Sequence, residues 1–441
     1  MFICNGLFTS QRSLSQIFEQ ELAYLGNRRL GDAKKGNYRI DSQTQSVEVG
    51  GGHDGPAVTA VFRSGIGCLA TAPGMAPENF AQPPKVEPTM PIEDTEQLPW
   101  PHGDLIEQNS PHNSVSQTSL TAAADWAFTA HAEGEDTTSL LVVHRGNIVY
   151  ERYAPGFNYR TRTRTWSAAK SIEAALIGLR VDSGHMELDS PLPIVWLPEQ
   201  SGAGSDPRSS ITLRHALNMT TGLYPVDNNN MTAAVGSGLA YWAGSGYENQ
   251  VRQRGLIRDP GSHWDYENYD SLLAVSAFKT TFETEHAYLQ FPYVELLQKI
   301  GMRSTLLGTD RFGDFILSSQ AFSNARDLAR FGLLFLNKGN WFGDQLISED
   351  WIDFIKTPTP ASAFRGNDYG GHWWLVPDAR KQEVPAEAFS AAGSRGQYVT
   401  VVPSHDVVIV RRGLDYNGAA FDQWSLVREV LKAFPNPSDS R

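Results

Sequence analysis

The sequence has few of the features that mark membrane, nucleic-acid-binding or disulfide-rich proteins. Only two cysteines occur in 441 residues, and no apolar run approaches the roughly 20 residues that span a bilayer. The net charge of -12 argues against nucleic acid or an anionic membrane as the main partner. No basic segment followed by an apolar one opens the chain, so we expect a cytosolic protein or one whose signal peptide has been removed.

The two cysteines, Cys4 and Cys68, leave two alternatives open. A disulfide between them would imply export and a periplasmic or secreted location, whereas two buried thiols would also fit the cytoplasm. The eleven histidines include no His-Glu-x-x-His motif, and His263 with Asp265 is an isolated pair. We therefore expect neither a metal nor a cofactor. The sequence does not indicate an oligomeric state.

Residues 1–103 are expected to form an N-terminal extension. A short strand and then a helix are predicted within residues 2–30, and one or two strands within 57–71. Residues 72–103 are rich in proline, which favours an extended connector that packs on a surface. The main domain is then residues 104–441.

The main domain has strand patterns at both ends and helices between them. A hairpin is predicted at 139–153, and strands recur between 373 and 411. Residues 185–310 are turn-rich and read as a mostly helical subdomain. This order predicts an α/β (α+β) fold with an antiparallel sheet built from distant segments and flanked by helices.

Three arginines, Arg160, Arg162 and Arg164, alternate with other residues just before the central helix. Alternation places their side chains on one side of an extended chain. We expect a solvated edge here rather than a patch that attracts substrate.

The strongest chemical signal is a Ser-x-x-Lys motif, Ser167 to Lys170, where an extended segment turns into an apolar helix. Residues three apart share a helix face, so the two side chains can point the same way. A desolvated lysine can help to remove the proton that makes a serine hydroxyl a poor nucleophile. The N–H groups at a helix start favour developing negative charge.

Two other serines lie in motifs that are similar to those of catalytic serines. Ser276 and Lys279 repeat the Ser-x-x-Lys spacing, but they lie inside an apolar helix pattern where a hydroxyl usually bonds to its own backbone. Ser394 lies in Gly-x-Ser-x-Gly, which as a nucleophile elbow requires a strand, a turn and then a helix. Because a strand pattern follows Ser394, the elbow interpretation fails.

A Tyr-x-Asn element, Tyr266 and Asn268, follows about a hundred residues after Ser167. A lysine ammonium beside Tyr266 would favour the phenolate, so we expect the pKa of Tyr266 to fall and the side chain to act as a general base. Asn268 can bond both the lysine and a substrate amide. The alternative is that Tyr266 simply packs at a helix start.

A glycine-rich entry to a strand, Gly393 to Gln397, is the third element. Glycines such as Gly396 let the backbone approach a ligand closely. The N–H of Gln397 together with that of Ser167 is predicted to form an oxyanion hole. Ser394 is expected to lie beside the substrate.

The order of these elements resembles the penicillin-recognising serine hydrolases: class C β-lactamases, DD-peptidases and esterases of the same fold. Within them the chain is most similar to the branch of 6-aminohexanoate-dimer hydrolases and esterases, over about residues 117–433. The resemblance implies a β-lactamase/transpeptidase-like fold. It also implies Ser167 as nucleophile, Lys170 and Tyr266 as the base system, and Asn268 as a supporting group.

One departure bears on the substrate. Where β-lactamases and DD-peptidases carry Lys-Thr-Gly or His-x-Gly, this chain has Ser394-Arg395-Gly396. We therefore expect an ester or linear amide substrate, with a β-lactamase or DD-peptidase as the alternative and a catalytically silent binding protein as a further one. Arg395 is expected on the opposite side of a strand, and Tyr224 either lines the pocket or lies on the surface.

Overall fold

A computed structural model gives the fold, and its strands are mostly short. It describes residues 1–22, 36–51, 53, 55–75, 92–106, 115–193, 206–226, 236–416 and 418–435. The strands within these ranges are β1 (Tyr38–Asp41), β2 (Ser46–Val49), β3 (Val58–Arg63), β4 (Gly67–Ala70), β5 (Thr137–His144), β6 (Asn147–Tyr153), β7 (Thr163–Arg164), β8 (Leu306–Leu307), β9 (Ala321–Ser323), β10 (Asn340–Trp341), β11 (Asp344–Gln345), β12 (Tyr369–Gly370), β13 (Trp373–Leu375), β14 (Phe389–Gly393), β15 (Gln397–Val402) and β16 (Val407–Gly413).

The helices range from single turns to fourteen residues. The α-helices of the described chain are α1 (Phe2–Cys4), α2 (Leu14–Gln16), α3 (Gln117–Phe128), α4 (Ala169–Asp182), α5 (Leu213–Leu217), α6 (Gly238–Ala243), α7 (Tyr247–Arg252), α8 (Asn268–Lys279), α9 (Glu285–Pro292), α10 (Ala325–Leu336), α11 (Glu349–Lys356) and α12 (Gln423–Leu431). In the part of the chain that the structure describes, no helix has the length and apolar character needed to cross a bilayer.

The main sheet joins the two ends of the main domain, as the sequence predicted. Its strand order is β12-β13-β14-β15-β16-β5-β6, and every neighbouring pair is antiparallel. Side chains of β5 alternate between two cores because successive residues of a strand face opposite ways. Leu141 and Val143 pack into the larger core with α4, α8 and α10. Leu140 and Val142 pack into a second core with α3 and α12.

The N-terminal extension contains an antiparallel sheet in the order β1-β2-β3-β4. A disulfide links Cys4 to Cys68 on β4, with the Cα atoms 6.1 Å apart. Cys68 lies opposite Phe62 of β3, so the bond ties the N-terminus to that hairpin.

The predicted N-terminal strand is wrong, because residues Phe2–Cys4 are helical. A short apolar run does not distinguish a strand from a buried helical turn, and here Ile3 and Cys4 are buried together on one turn. The helix predicted within residues 2–30 is present from Leu14, and Ser13 forms a capping box with Gln16. Much of the proline-rich connector, residues 76–91, lies outside the described residues.

The expectation of a solvated arginine edge holds for Arg160 but is wrong for its two neighbours. Arg162 is half-buried and donates to the carbonyls of Thr9 (3.0 Å) and Ser304 (2.9 Å), so it joins the extension to the main domain. Arg164 is buried as well, and its contacts belong to the candidate site. The long aliphatic stems and planar heads of these arginines pack well against backbone and aromatic rings.

Candidate active site

Ser167 lies in a single 3₁₀ turn, Trp166–Ala168, that leads directly into α4. The residue before it, Trp166, has a left-handed backbone with φ of 51°. A bulky residue in this region costs about 1–2 kcal/mol, so its surroundings must hold it there. The result is a sharp corner that presents Ser167 at a helix start, where backbone N–H groups lack helical partners.

Arg164 supplies much of that support. Its guanidinium carbon lies 4.0 Å from the centre of the Trp166 ring and 4.6 Å from that of Trp242. Its Nε donates to the Ser319 carbonyl at 3.0 Å. Phe2 of the extension stacks on Trp242 with the ring centres 4.6 Å apart. The corner before Ser167 is therefore packed by residues from both parts of the chain.

Lys170 lies one turn after Ser167 on α4, and its side chain is fully enclosed, with 1% of the residue exposed. Its Nζ donates to Oδ1 of Asn268 at 2.6 Å and to the carbonyl of Ser318 at 2.8 Å. It also lies 4.9 Å from the centre of the Tyr266 ring. The structure thus brings together three of the predicted residues, Lys170, Tyr266 and Asn268, around one amino group.

Tyr266 forms a side-chain hydrogen bond with Ser167. Burial raises the pKa of Tyr266 above its ordinary value, because the phenolate would lose its hydration, and the bond with Ser167 opposes this only in part. The expected fall in the pKa of Tyr266 is therefore wrong. Desolvation outweighs the hydrogen bond with Ser167, and the phenol keeps its proton at neutral pH.

The end of strand β14 lies against the Ser167 turn at Gly393. A Cβ atom at this glycine would be 3.0 Å from the N atom of Ser167 and 2.9 Å from that of Ala168, and it would overlap the Thr165 carbonyl. Only a residue without a side chain lets the two backbones approach so closely. Ser394, the next residue, is exposed.

Gly396 and Gln397 follow the turn at residues 394–396. A Cβ atom at Gly396 would overlap the guanidinium of Arg411, so its α-carbon faces that side chain. The buried side chain of Gln397 donates to the Arg395 carbonyl at 2.8 Å and accepts from Nε of Arg412 at 2.6 Å. Both predicted residues therefore belong to a buried arginine network, and Gly393 is where the hairpin abuts Ser167.

Arg395 lies in that turn with φ of 62°, so its predicted place on a strand is wrong. Its guanidinium is buried and donates to the carbonyls of Asp415 (2.9 Å), Leu414 (2.8 Å) and Gln20 (2.7 Å). Through the Gln20 carbonyl, the guanidinium of Arg395 holds the N-terminal extension against this turn.

The other predicted residues lie apart from this arrangement. Ser276 is inside helix α8, as expected, and its partner Lys279 pairs with Asp314 and leaves 34% of its side chain exposed. Tyr224 is 53% exposed, which agrees with the surface alternative.

The sequence did not predict every contact of this site. Ser318 binds Lys170 through its backbone carbonyl, so its residue type gives no signal for that contact. Gly393 was predicted as one of two glycines that let the backbone approach a ligand, but its contact with the Ser167 turn was not. Glu173 was signalled by a lone acid in an apolar helix, three residues after Lys170.

Comparisons with known proteins agree with this architecture. The sequence model of the family described as Beta-lactamase matches residues 127–412. The 6-aminohexanoate-dimer hydrolase of Paenarthrobacter ureafaciens is 22% identical over 292 residues, which cover 62% of this chain and 72% of that protein.

Two solved structures share the fold at low sequence identity. A D-stereospecific amidohydrolase from Streptomyces has a TM-score of 0.54 and 16% identity, with 72% of this chain and 98% of that chain covered. A family VIII carboxylesterase has a TM-score of 0.52 and 14% identity, with coverage of 72% and 96%. The predicted β-lactamase/transpeptidase-like fold is confirmed. Since the family match spans more than half of the sequence, the chain belongs to the Beta-lactamase family.

Proposed function

We propose that this protein is a serine hydrolase that cleaves an ester or a linear amide through an acyl-enzyme on Ser167. The observation that carries the proposal is the enclosed amino group of Lys170, held by Asn268 and Ser318 beside a tyrosine that is hydrogen-bonded to Ser167. Burial disfavours the charged form of a lysine, which suits it to accept a proton.

The proton of Ser167 passes through Tyr266. Because the Tyr266 phenol is protonated, it cannot act as a general base by itself. It accepts the proton of Ser167 while it passes its own proton to the neutral amine of Lys170. The Ser167 oxygen then bonds to the substrate carbonyl carbon. Collapse of the tetrahedral intermediate breaks the bond to the alcohol or amine, which leaves with the proton. Water releases the acyl group by the same steps.

The negative oxygen of the intermediate needs N–H donors. The Ser167 N–H is one, and Gly393 brings the end of β14 against it. We assign the second donor to the N–H of Ser394, the exposed residue that follows, in place of Gln397. Backbone donors fixed before the reaction stabilise such charge without reorganisation.

The substrate class follows from the charges at β14. Arg395 donates to three backbone carbonyls, away from any substrate carboxylate. The strand that meets Ser167 ends Ala391-Ala392-Gly393 and carries no lysine, arginine or histidine. An ester or simple amide is therefore favoured over a β-lactam, and the names of the esterase and amidohydrolase relatives agree.

Ser167→Ala should lower hydrolysis of p-nitrophenyl esters by about 10³-fold or more, because the nucleophile is lost. Ser276→Ala is the matched control: it removes the serine of the second Ser-x-x-Lys motif and should leave kcat within about 2-fold of the parent. Steady-state kinetics on a panel of esters, linear amides and a cephalosporin measures both. Retained activity in Ser167→Ala would contradict the assignment.

Tyr266→Phe should lower kcat by about 10²–10⁴-fold and change KM little, since the hydroxyl acts in proton transfer. Burial keeps the Tyr266 phenol protonated, so the final proton acceptor in this path is Lys170. We therefore expect kcat of the parent to rise with pH as Lys170 loses its proton, and then to level off. A pH–rate profile between pH 5 and 10 checks this. A phenylalanine variant with near-normal kcat would exclude Tyr266 from the proton path.

Gly393→Ala should lower kcat/KM by about 10²-fold, because the added methyl group displaces the Ser167 turn. Gly255→Ala is a suitable control: a Cβ there meets no atom within 4 Å. Both variants are compared by ester kinetics and by urea unfolding. Equal kinetics for the two would show that the approach of β14 to Ser167 is not needed for turnover.

A further inference from the structure

A second pair of titratable side chains lies close to Lys170 and is not used by the proton path above. Glu173 follows Lys170 by three residues on α4, and His372 lies in the turn between β12 and β13. Both side chains are enclosed, with 1% and 0% of their surfaces exposed. The Nε2 atom of His372 is 3.5 Å from Oε1 of Glu173.

His372 is fixed in place on several sides. Its backbone is left-handed, with φ of 65°. Its N–H donates to the Leu217 carbonyl at 2.9 Å, and its own carbonyl accepts from the Ser171 hydroxyl at 2.8 Å. The Tyr369 hydroxyl is 3.4 Å from Nδ1. These contacts fix the backbone and the ring, so that Nδ1 faces Tyr369 and Nε2 faces Glu173.

Glu173 depends on that partner. Among the described residues, neither of its oxygens nor Nε2 of His372 has a hydrogen-bond partner, and the 3.5 Å between Nε2 and Oε1 is longer than an ordinary hydrogen bond. Two separate charges buried this way would be costly, and so would an ion pair without further hydrogen bonds. Burial raises the pKa of Glu173 well above its usual value and lowers that of His372. One proton held between the carboxyl group and the imidazole leaves the pair uncharged.

Few titratable groups in the part of the chain that the structure describes lie around Glu173. Lys170 faces it from the same helix, and its charge opposes the rise in the pKa of Glu173. The phenols of Tyr266, Tyr288 and Tyr369 also face it, and each has its pKa raised by burial first and by Glu173 as a smaller cause. Asp270 faces Tyr369 from helix α8. Lys170 is thus the cation that a charged Glu173 would act upon.

We propose that Glu173 and His372 are positioning residues that hold one proton between them and so withhold a carboxylate charge from Lys170. An ionised carboxylate at this place would stabilise the ammonium form of the lysine and delay the loss of its proton. The inference rests on the proposed function, in which neutral Lys170 accepts the proton of Ser167.

Two substitutions test the pair through the pH–rate profile. Glu173→Gln keeps the size and the neutral state, so the acidic limb of kcat should stay where it is. His372→Gln puts an amide near the place of Nε2, and its NH2 group can donate to an ionised Glu173, which an unprotonated Nε2 cannot do, so the carboxylate is favoured. Glutamine tolerates this backbone, since Gln11 and Gln45 have φ of 53° and 49°.

The acidic limb of His372→Gln should therefore move up by about 1 pH unit or more. The double variant Glu173→Gln/His372→Gln should return the limb to its parent position, which a merely structural role would not do. A shift in Glu173→Gln alone, or an unmoved limb in His372→Gln, would overturn the proposal. Urea unfolding of each variant shows that it is folded.

A second measurement does not need activity. In protein labelled with ¹⁵N-histidine, the ring signals of His372, assigned by their loss in His372→Gln, should report a neutral imidazole with unprotonated Nε2 from pH 6 to 8. An imidazolium signal would overturn the shared proton. The parent and all variants could fail to hydrolyse any substrate while the NMR signals still show a neutral His372 imidazole. In that case the proposed function is wrong, but the uncharged Glu173–His372 pair is supported.

Discussion

The enclosed amino group of Lys170 is the contact on which the candidate site depends. It joins α4 to the start of α8 through Asn268 and to the segment between β8 and β9 through Ser318. A buried lysine head without acceptors would be very unfavourable, so these contacts fix three distant segments against one another. Ser167, one turn earlier, and Tyr266, two residues before Asn268, take their places from the same arrangement.

The extension contributes to this geometry as well as to stability. The disulfide fixes the N-terminal turn to β4, and Phe2 from that turn stacks on Trp242. Trp242 and Trp166 enclose the guanidinium of Arg164. A left-handed tryptophan before Ser167 is thus held by an arginine that is itself held by the extension. Aromatic packing therefore links the extension to the position of Ser167.

The sequence predicted those parts of the protein that depend on spacing along one element. Ser167 and Lys170 share a helix start, and the hairpin predicted at 139–153 is present as β5 and β6. It did not predict contacts made by backbone atoms, such as the Ser318 carbonyl. Burial also reversed the expected pKa shift of Tyr266, and three-dimensional packing turned Arg162 and Arg164 inward. Desolvation and the close approach of two backbones depend on the folded chain, so no local sequence pattern predicts them.

The central claim is that Ser167 carries the acyl group, and covalent trapping tests it most directly. The protein is treated with a fluorophosphonate probe, digested and mapped by mass spectrometry. We predict one adduct, on the peptide that contains Ser167, whose formation is slowed by an ester substrate. An adduct on the peptide of Ser276 or Ser394 with Ser167 unmodified would contradict the account, as would ester hydrolysis by a protein that takes no label.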